Sequence, residues 1–149
     1  MSGNSGPNNS GPSNSNQKVR QSQIRFKVRY AETDAMGIAH HSNYVIWLEM
    51  GRVAFLDEIG IAYSEVERRG VYLVVTNIGL KYRRPARFDD EIILTTRLSA
   101  LKSRLVRFDY ALEQPDGSLL AEGFSEHIAT DLDKRSVPIP HHLREALEG

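Results

Sequence analysis

The sequence has no cysteine, no net charge and no apolar run long enough to cross a bilayer, which takes about 20 residues. The missing cysteines exclude disulfides, thiolate metal sites and a cysteine nucleophile, and they fit a cytoplasmic chain. Nineteen acidic residues balance nineteen basic ones, whereas a nucleic-acid protein carries a basic excess. The N-terminus lacks the basic start and apolar core of a signal peptide. No spacing of acids around His127, His141 or His142 suits zinc, so no metal site and no cofactor are expected.

Apolar residues are also missing from one end. After Met1, the run SGNSGPNNSGPSNSNQ holds no aliphatic or aromatic side chain before Val19. Such a segment buries too little surface to offset its ordering entropy. Residues 1–21 are therefore expected to be a disordered Ser/Gly/Asn-rich tail, and 22–149 a single domain with one ordinary core.

The remainder is patterned. Residues 24–30 (IRFKVRY) alternate apolar and basic, as a half-exposed strand does. Residues 43–59 are apolar on most sides and predict a helix wrapped by other structure, capped by Ser42 or Asn43 and stopped by Gly60. Gly51 inside it costs about 1 kcal/mol relative to Ala, which suggests close approach of another element. A short second helix is expected with a Ser64–Glu67 capping box and Gly70 as its stop. From residue 71 the period becomes two, giving four strands, with Pro115-Asp116-Gly117 turning the last pair. A short helix can end the chain. The order strand, helix, four strands predicts an α+β domain, one five-stranded antiparallel sheet around one helix. A single helix covers little of such a sheet, so pairing with a second copy is expected.

Chemistry concentrates in YAETDAMGIAHHSNY, residues 30–44. Asp34 precedes His41 by seven residues, with Gly37 between them and the apolar helix behind. An acid in an apolar setting beside a helix N-terminus suits general-base or nucleophilic work. The same T-D-A-M-G run also suits a turn.

This stretch, with Glu49 and Arg52 in the helix after it, KYRRPARFDDEI at 81–92 and the order of elements, resembles the hotdog-fold acyl-CoA thioesterases of the 4-hydroxybenzoyl-CoA thioesterase type. The branch it is most similar to is that encoded beside the bacterial Tol–Pal envelope system. The resemblance covers roughly residues 23 to 147, with Glu32 where the family has a second aspartate and His40 where it often has an aromatic.

The resemblance implies hydrolysis of an acyl-CoA in the cytoplasm by a homodimer or homotetramer. Asp34 would serve as general base or as a nucleophile forming an anhydride. Backbone N–H groups at the helix start, that of His41 foremost, would hold the oxyanion. The His41 side chain would hold water or orient Asp34, and Tyr30 would hydrogen-bond near Asp34 or the substrate. Asn43 and Glu49 are read as structural, a cap and a partner for Arg52. Lys102, Ser103 and Arg104 would meet the coenzyme A phosphates. Arg83, Arg84 and Arg87 form a second basic cluster, suited to a dimer edge or to salt bridges. Rival readings are an acyl-carrier-protein thioesterase, a hotdog hydratase, and a non-catalytic acyl-binding or envelope-associated module.

Overall fold

The computed structural model describes residues 20–149. The expected tail lies outside them, apart from Arg20 and Gln21, and Gln21 already belongs to the first strand. Strand β1 spans Gln21–Lys27, three residues earlier than the alternation suggested. It is followed by a 3-10 turn at Tyr30–Glu32. The strand stops because the chain closes on itself there, Glu32 donating its N–H to the Arg29 carbonyl at 2.9 Å. Helix α1 covers Ser42–Glu58 and the short helix α2 Tyr63–Arg68. Strands β2 (Tyr72–Tyr82), β3 (Glu91–Leu101), β4 (Leu105–Glu113) and β5 (Leu119–Thr130) follow, and helix α3 (His141–Glu148) ends the chain.

The five strands form one antiparallel sheet in the order β1-β3-β4-β5-β2. Strand β4 shows why: Val106, Phe108, Tyr110 and Leu112 alternate inward and are buried, while Arg107 and Asp109 point away. The β4–β5 connection is the expected tight turn, with Ser118 donating its N–H to the Asp116 carboxylate at 2.9 Å. Helix α1 lies across the inner face with Tyr44, Trp47, Leu48, Phe55 and Leu56 buried. Gly51 is where the two layers come closest. A methyl group there would overlap Thr96 Oγ1 and stand 3.0 Å from Leu94 Cδ2.

Two expectations need correction. The second helix has no Ser64–Glu67 capping box; it starts from Ala62 without a side-chain cap, and Glu65 pairs instead with Arg68 and Arg69. Among the described residues, helix α1 is not wrapped all round. Val45, Ile46, Met50 and Val53 stay exposed along it, as do Val74, Val75 and Tyr82 on the edge strand β2. The sheet covers one side of an evenly apolar helix, and the rest faces outward.

Candidate active site

The loop from Tyr30 to His41 connects β1 to α1, and Glu32 fastens it. The Glu32 carboxylate accepts the Arg29 N–H at 2.8 Å, the Trp47 indole N–H at 3.0 Å and an Arg29 guanidinium N–H at 3.2 Å. Its backbone carbonyl accepts the His40 N–H at 2.8 Å and the Asn43 side-chain amide at 2.9 Å. Burial acts to raise the Glu32 pKa. The Arg29 N–H, the indole and the Arg29 guanidinium outweigh it, and the carboxyl sits below its ordinary value.

The buried acid of this loop is thus Glu32, 5% exposed, and not Asp34, which is exposed. Asp34 shapes its own turn. Its Oδ1 accepts the N–H groups of Met36 at 2.8 Å and Ile38 at 3.3 Å, and its N–H donates to the Ile38 carbonyl at 2.9 Å. Gly37, at φ +76°, takes the left-handed conformation this tight return needs. Oδ2 of Asp34 receives no hydrogen bond among the described residues, so one carboxylate oxygen points free of the turn.

His41 stands at the N-cap of α1 with helical backbone angles and no side-chain cap. Its backbone N–H donates to no group among the described residues. His40 has another task. Its Nδ1 lies 2.9 Å from Ser42 Oγ and accepts the Ser42 N–H at 3.2 Å, fixing the first turn of the helix. The two rings stack at 4.1 Å. His41, Ile38, Ala39, Tyr44, Tyr82, Arg83, Arg84 and Pro85 line a mostly apolar hollow of about 280 Å³ at this helix end.

Asn43 ties the loop to the helix through the Glu32 and His40 carbonyls, and so does more than cap. Tyr30 is exposed, its ring edge-on to Phe88 at 5.7 Å, and no hydrogen bond joins its hydroxyl to Asp34. Lys102, Ser103 and Arg104 are exposed in the β3–β4 turn, where Arg104 donates to the Ser136 carbonyl at 2.8 Å. The Asp34 loop is stitched to the opposite end of β3, through Val28 and Asp90 at 3.0 Å. The eleven residues of β3 put roughly 35 Å of strand between the two sets, at about 3.3 Å per residue. Within one chain they do not meet.

One polar group escaped the sequence reading. Arg52 turns inward, away from any pairing with Glu49, and donates to the Tyr110 hydroxyl at 3.1 Å. Tyr110 lies 2.6 Å from Ser125 Oγ, which lies 2.8 Å from His127 Nε2. All four are buried. Burial foremost, then the Arg52 charge, holds the His127 pKa down at about 4 despite the Leu73 carbonyl. Alternation along β5 puts residues 125 and 127 on one face, but only the docked helix α1 reveals that Arg52 joins them through Tyr110.

A profile of the Thioesterase-like superfamily matches residues 28–147 of this chain. A Bacillus subtilis (strain 168) protein named "Putative acyl-CoA thioesterase YneP" is 34% identical over 110 residues, 74% of this chain and 80% of that one. Among solved structures, the hypothetical protein TT1821 from Thermus thermophilus superposes with a TM-score of 0.81 at 47% identity, covering 85% of this chain and 96% of that one. The DHNA-CoA thioesterase from Staphylococcus aureus superposes with a TM-score of 0.79 at 26% identity, covering 85% and 88%. The sheet and its central helix are those of a hotdog fold. These matches do not single out the Tol–Pal-associated branch.

Proposed function

We propose, since this chain belongs to the thioesterase-like superfamily and is a thioesterase, that Asp34 and the start of helix α1 carry the hydrolysis of an acyl-CoA. The observation behind this reading is a single loop that holds a carboxylate oxygen free of its turn and an unpartnered N–H, that of His41, at a helix N-terminus. Asp34 Oδ2 takes a proton from water while the water oxygen adds to the thioester carbonyl carbon. Charge gathers on the carbonyl oxygen, where the His41 N–H and the positive end of the helix favour it. The carbon–sulfur bond then breaks, and the proton passes to the leaving thiolate. In the covalent variant Asp34 itself adds to the carbon and the thiolate leaves; water then opens the resulting anhydride, and a proton it releases goes to the thiolate.

His41 lines the hollow, and its ring is suited to hold the water. Tyr30 enters this reading only as a wall beside the loop, since its ring packs on Phe88. The acyl chain has apolar surface available along α1, whose exposed stripe also suits a second copy of the chain. A homodimer, or a tetramer built from it, would bring the partner's β3–β4 turn to the site, which is the way Lys102, Ser103 and Arg104 could reach the coenzyme A phosphates. The reaction needs water and no cofactor, and the reading places it in the cytoplasm. Among the described residues no helix is long and apolar enough to span a membrane.

The test is thiol release from a panel of short, long and aromatic acyl-CoAs. Turnover of at least one supports the reading and names the acyl class. No release from any of them contradicts it.

A further inference from the structure

We propose that Arg84 and Arg87 form a phosphate subsite for the phosphopantetheine arm, the portion that coenzyme A and an acyl carrier protein share. The proposal rests on the thioester reading of the Asp34–His41 loop and adds the recognition of its thiol carrier.

The segment carrying these arginines is held in register with the loop. Ala39 donates its N–H to the Ala86 carbonyl at 2.8 Å, Phe88 donates to the Gly37 carbonyl at 3.2 Å, and Ile38 bridges Arg87. Ala86, fully buried, anchors the segment, and Pro85 stiffens it. Arg84 lines the same hollow as His41, and Arg87 pairs with Ile38, another of its walls.

The neighbouring cations are already neutralised. Arg83 pairs with Glu122, and Arg29 with Glu32. The Asp90 carboxylate accepts the Arg87 backbone N–H at 2.9 Å. Among the described residues neither Arg84 nor Arg87 forms an ion pair, and both are exposed. Arg84 beside the apolar hollow and Arg87 across the bridge from Ile38, both outside any ion pair although Asp116 feels the Arg84 charge, match an uncharged arm that ends in a phosphate. Arginine is well shaped for that anion, because its planar fork donates two N–H groups at once. Lys102 and Arg104, at the far end of β3, would then meet only the more distant phosphates of the nucleotide, across a subunit boundary.

Calorimetric titration of the full-length protein with coenzyme A, 4′-phosphopantetheine and pantetheine reads the phosphate contribution without turnover. Wild type is expected to bind the two phosphate-bearing molecules more tightly than pantetheine. R84Q/R87Q should lose about 10–100-fold for both, since two exposed charge-assisted contacts keep only part of their buried strength, with pantetheine affinity shifting less than about twofold. K102Q/R104Q should weaken coenzyme A and leave 4′-phosphopantetheine in place. Equal binding of pantetheine and 4′-phosphopantetheine by wild type, or an R84Q/R87Q protein that binds both as wild type does, would overturn the subsite. The expected binding pattern without hydrolysis of any thioester would instead refute the hydrolase reading and leave the subsite standing. Competition by a holo acyl carrier protein, weakened by the same pair of substitutions, would assign the arm to a protein carrier; competition by coenzyme A alone would assign it to the nucleotide.

Discussion

Trp47 donates its indole N–H to the carboxylate of Glu32 at 3.0 Å, and so fixes the Asp34 loop to the interior of helix α1. Both residues are buried. Glu32→Gln should break this arrangement. An amide offers one acceptor oxygen, while the carboxylate answers three donors, and the amide nitrogen would face one of them. Stability should fall by about 1–3 kcal/mol, the cost of a mismatched buried hydrogen bond, read as a lower urea midpoint. Because Asp34 hangs from this anchor, kcat should fall more than KM rises. The pKa direction adds a sign. A carboxyl lowered in the folded state contributes stability above its unfolded value near 4.5 and loses it as pH falls through the folded value. The wild type should therefore weaken below about pH 4.5, and the Gln variant should lack that part of the slope.

His127 acts in a different pH window. Its folded pKa is about 4 against an ordinary 6.5, so between those values the unfolded chain binds more protons than the folded one. Stability should rise with pH through that window, stay full above it, and drop by roughly 3 kcal/mol on acidification through it. Urea midpoints measured from pH 4 to 7 check this. The slope should flatten in His127→Gln, which keeps a polar partner for Ser125.

The exposed stripe of α1 gives a third expectation. Val45→Asp with Val53→Asp changes two exposed residues and leaves the core of one chain untouched. Light scattering should show wild type as a dimer or tetramer and the double variant as a monomer. Thioesterase activity should fall with assembly if the partner's β3–β4 turn completes the site. An unchanged mass would place the subunit contact elsewhere.

How much of this was legible in the residues depended on range. Alternation located four strands and the apolar run located α1, because both are local periodicities. Gly51 announced close packing, and Thr96 is what it packs against. The loop motif marked Asp34 and His41, but it could not tell which acid was buried. That choice is made by Trp47, fifteen residues beyond Glu32, once the helix has docked. The inward turn of Arg52 was equally hidden, since its partner Tyr110 is fifty-eight residues away and adjoins it only through the sheet. The separation of Lys102, Ser103 and Arg104 from Asp34 follows from strand length and direction, which no motif encodes.

If Asp34 performs the chemistry, Asp34→Asn removes the base and leaves the loop in place. Asparagine retains an oxygen able to accept the Met36 and Ile38 N–H groups, so the loop should persist and the stability measured by urea unfolding should stay within about 0.5 kcal/mol of wild type. On the acyl-CoA that wild type turns over best, thiol release should fall by about 100- to 10,000-fold, the range for loss of a general base. A folded Asp34→Asn protein that releases thiol within about threefold of wild type would exclude Asp34 as the base or nucleophile.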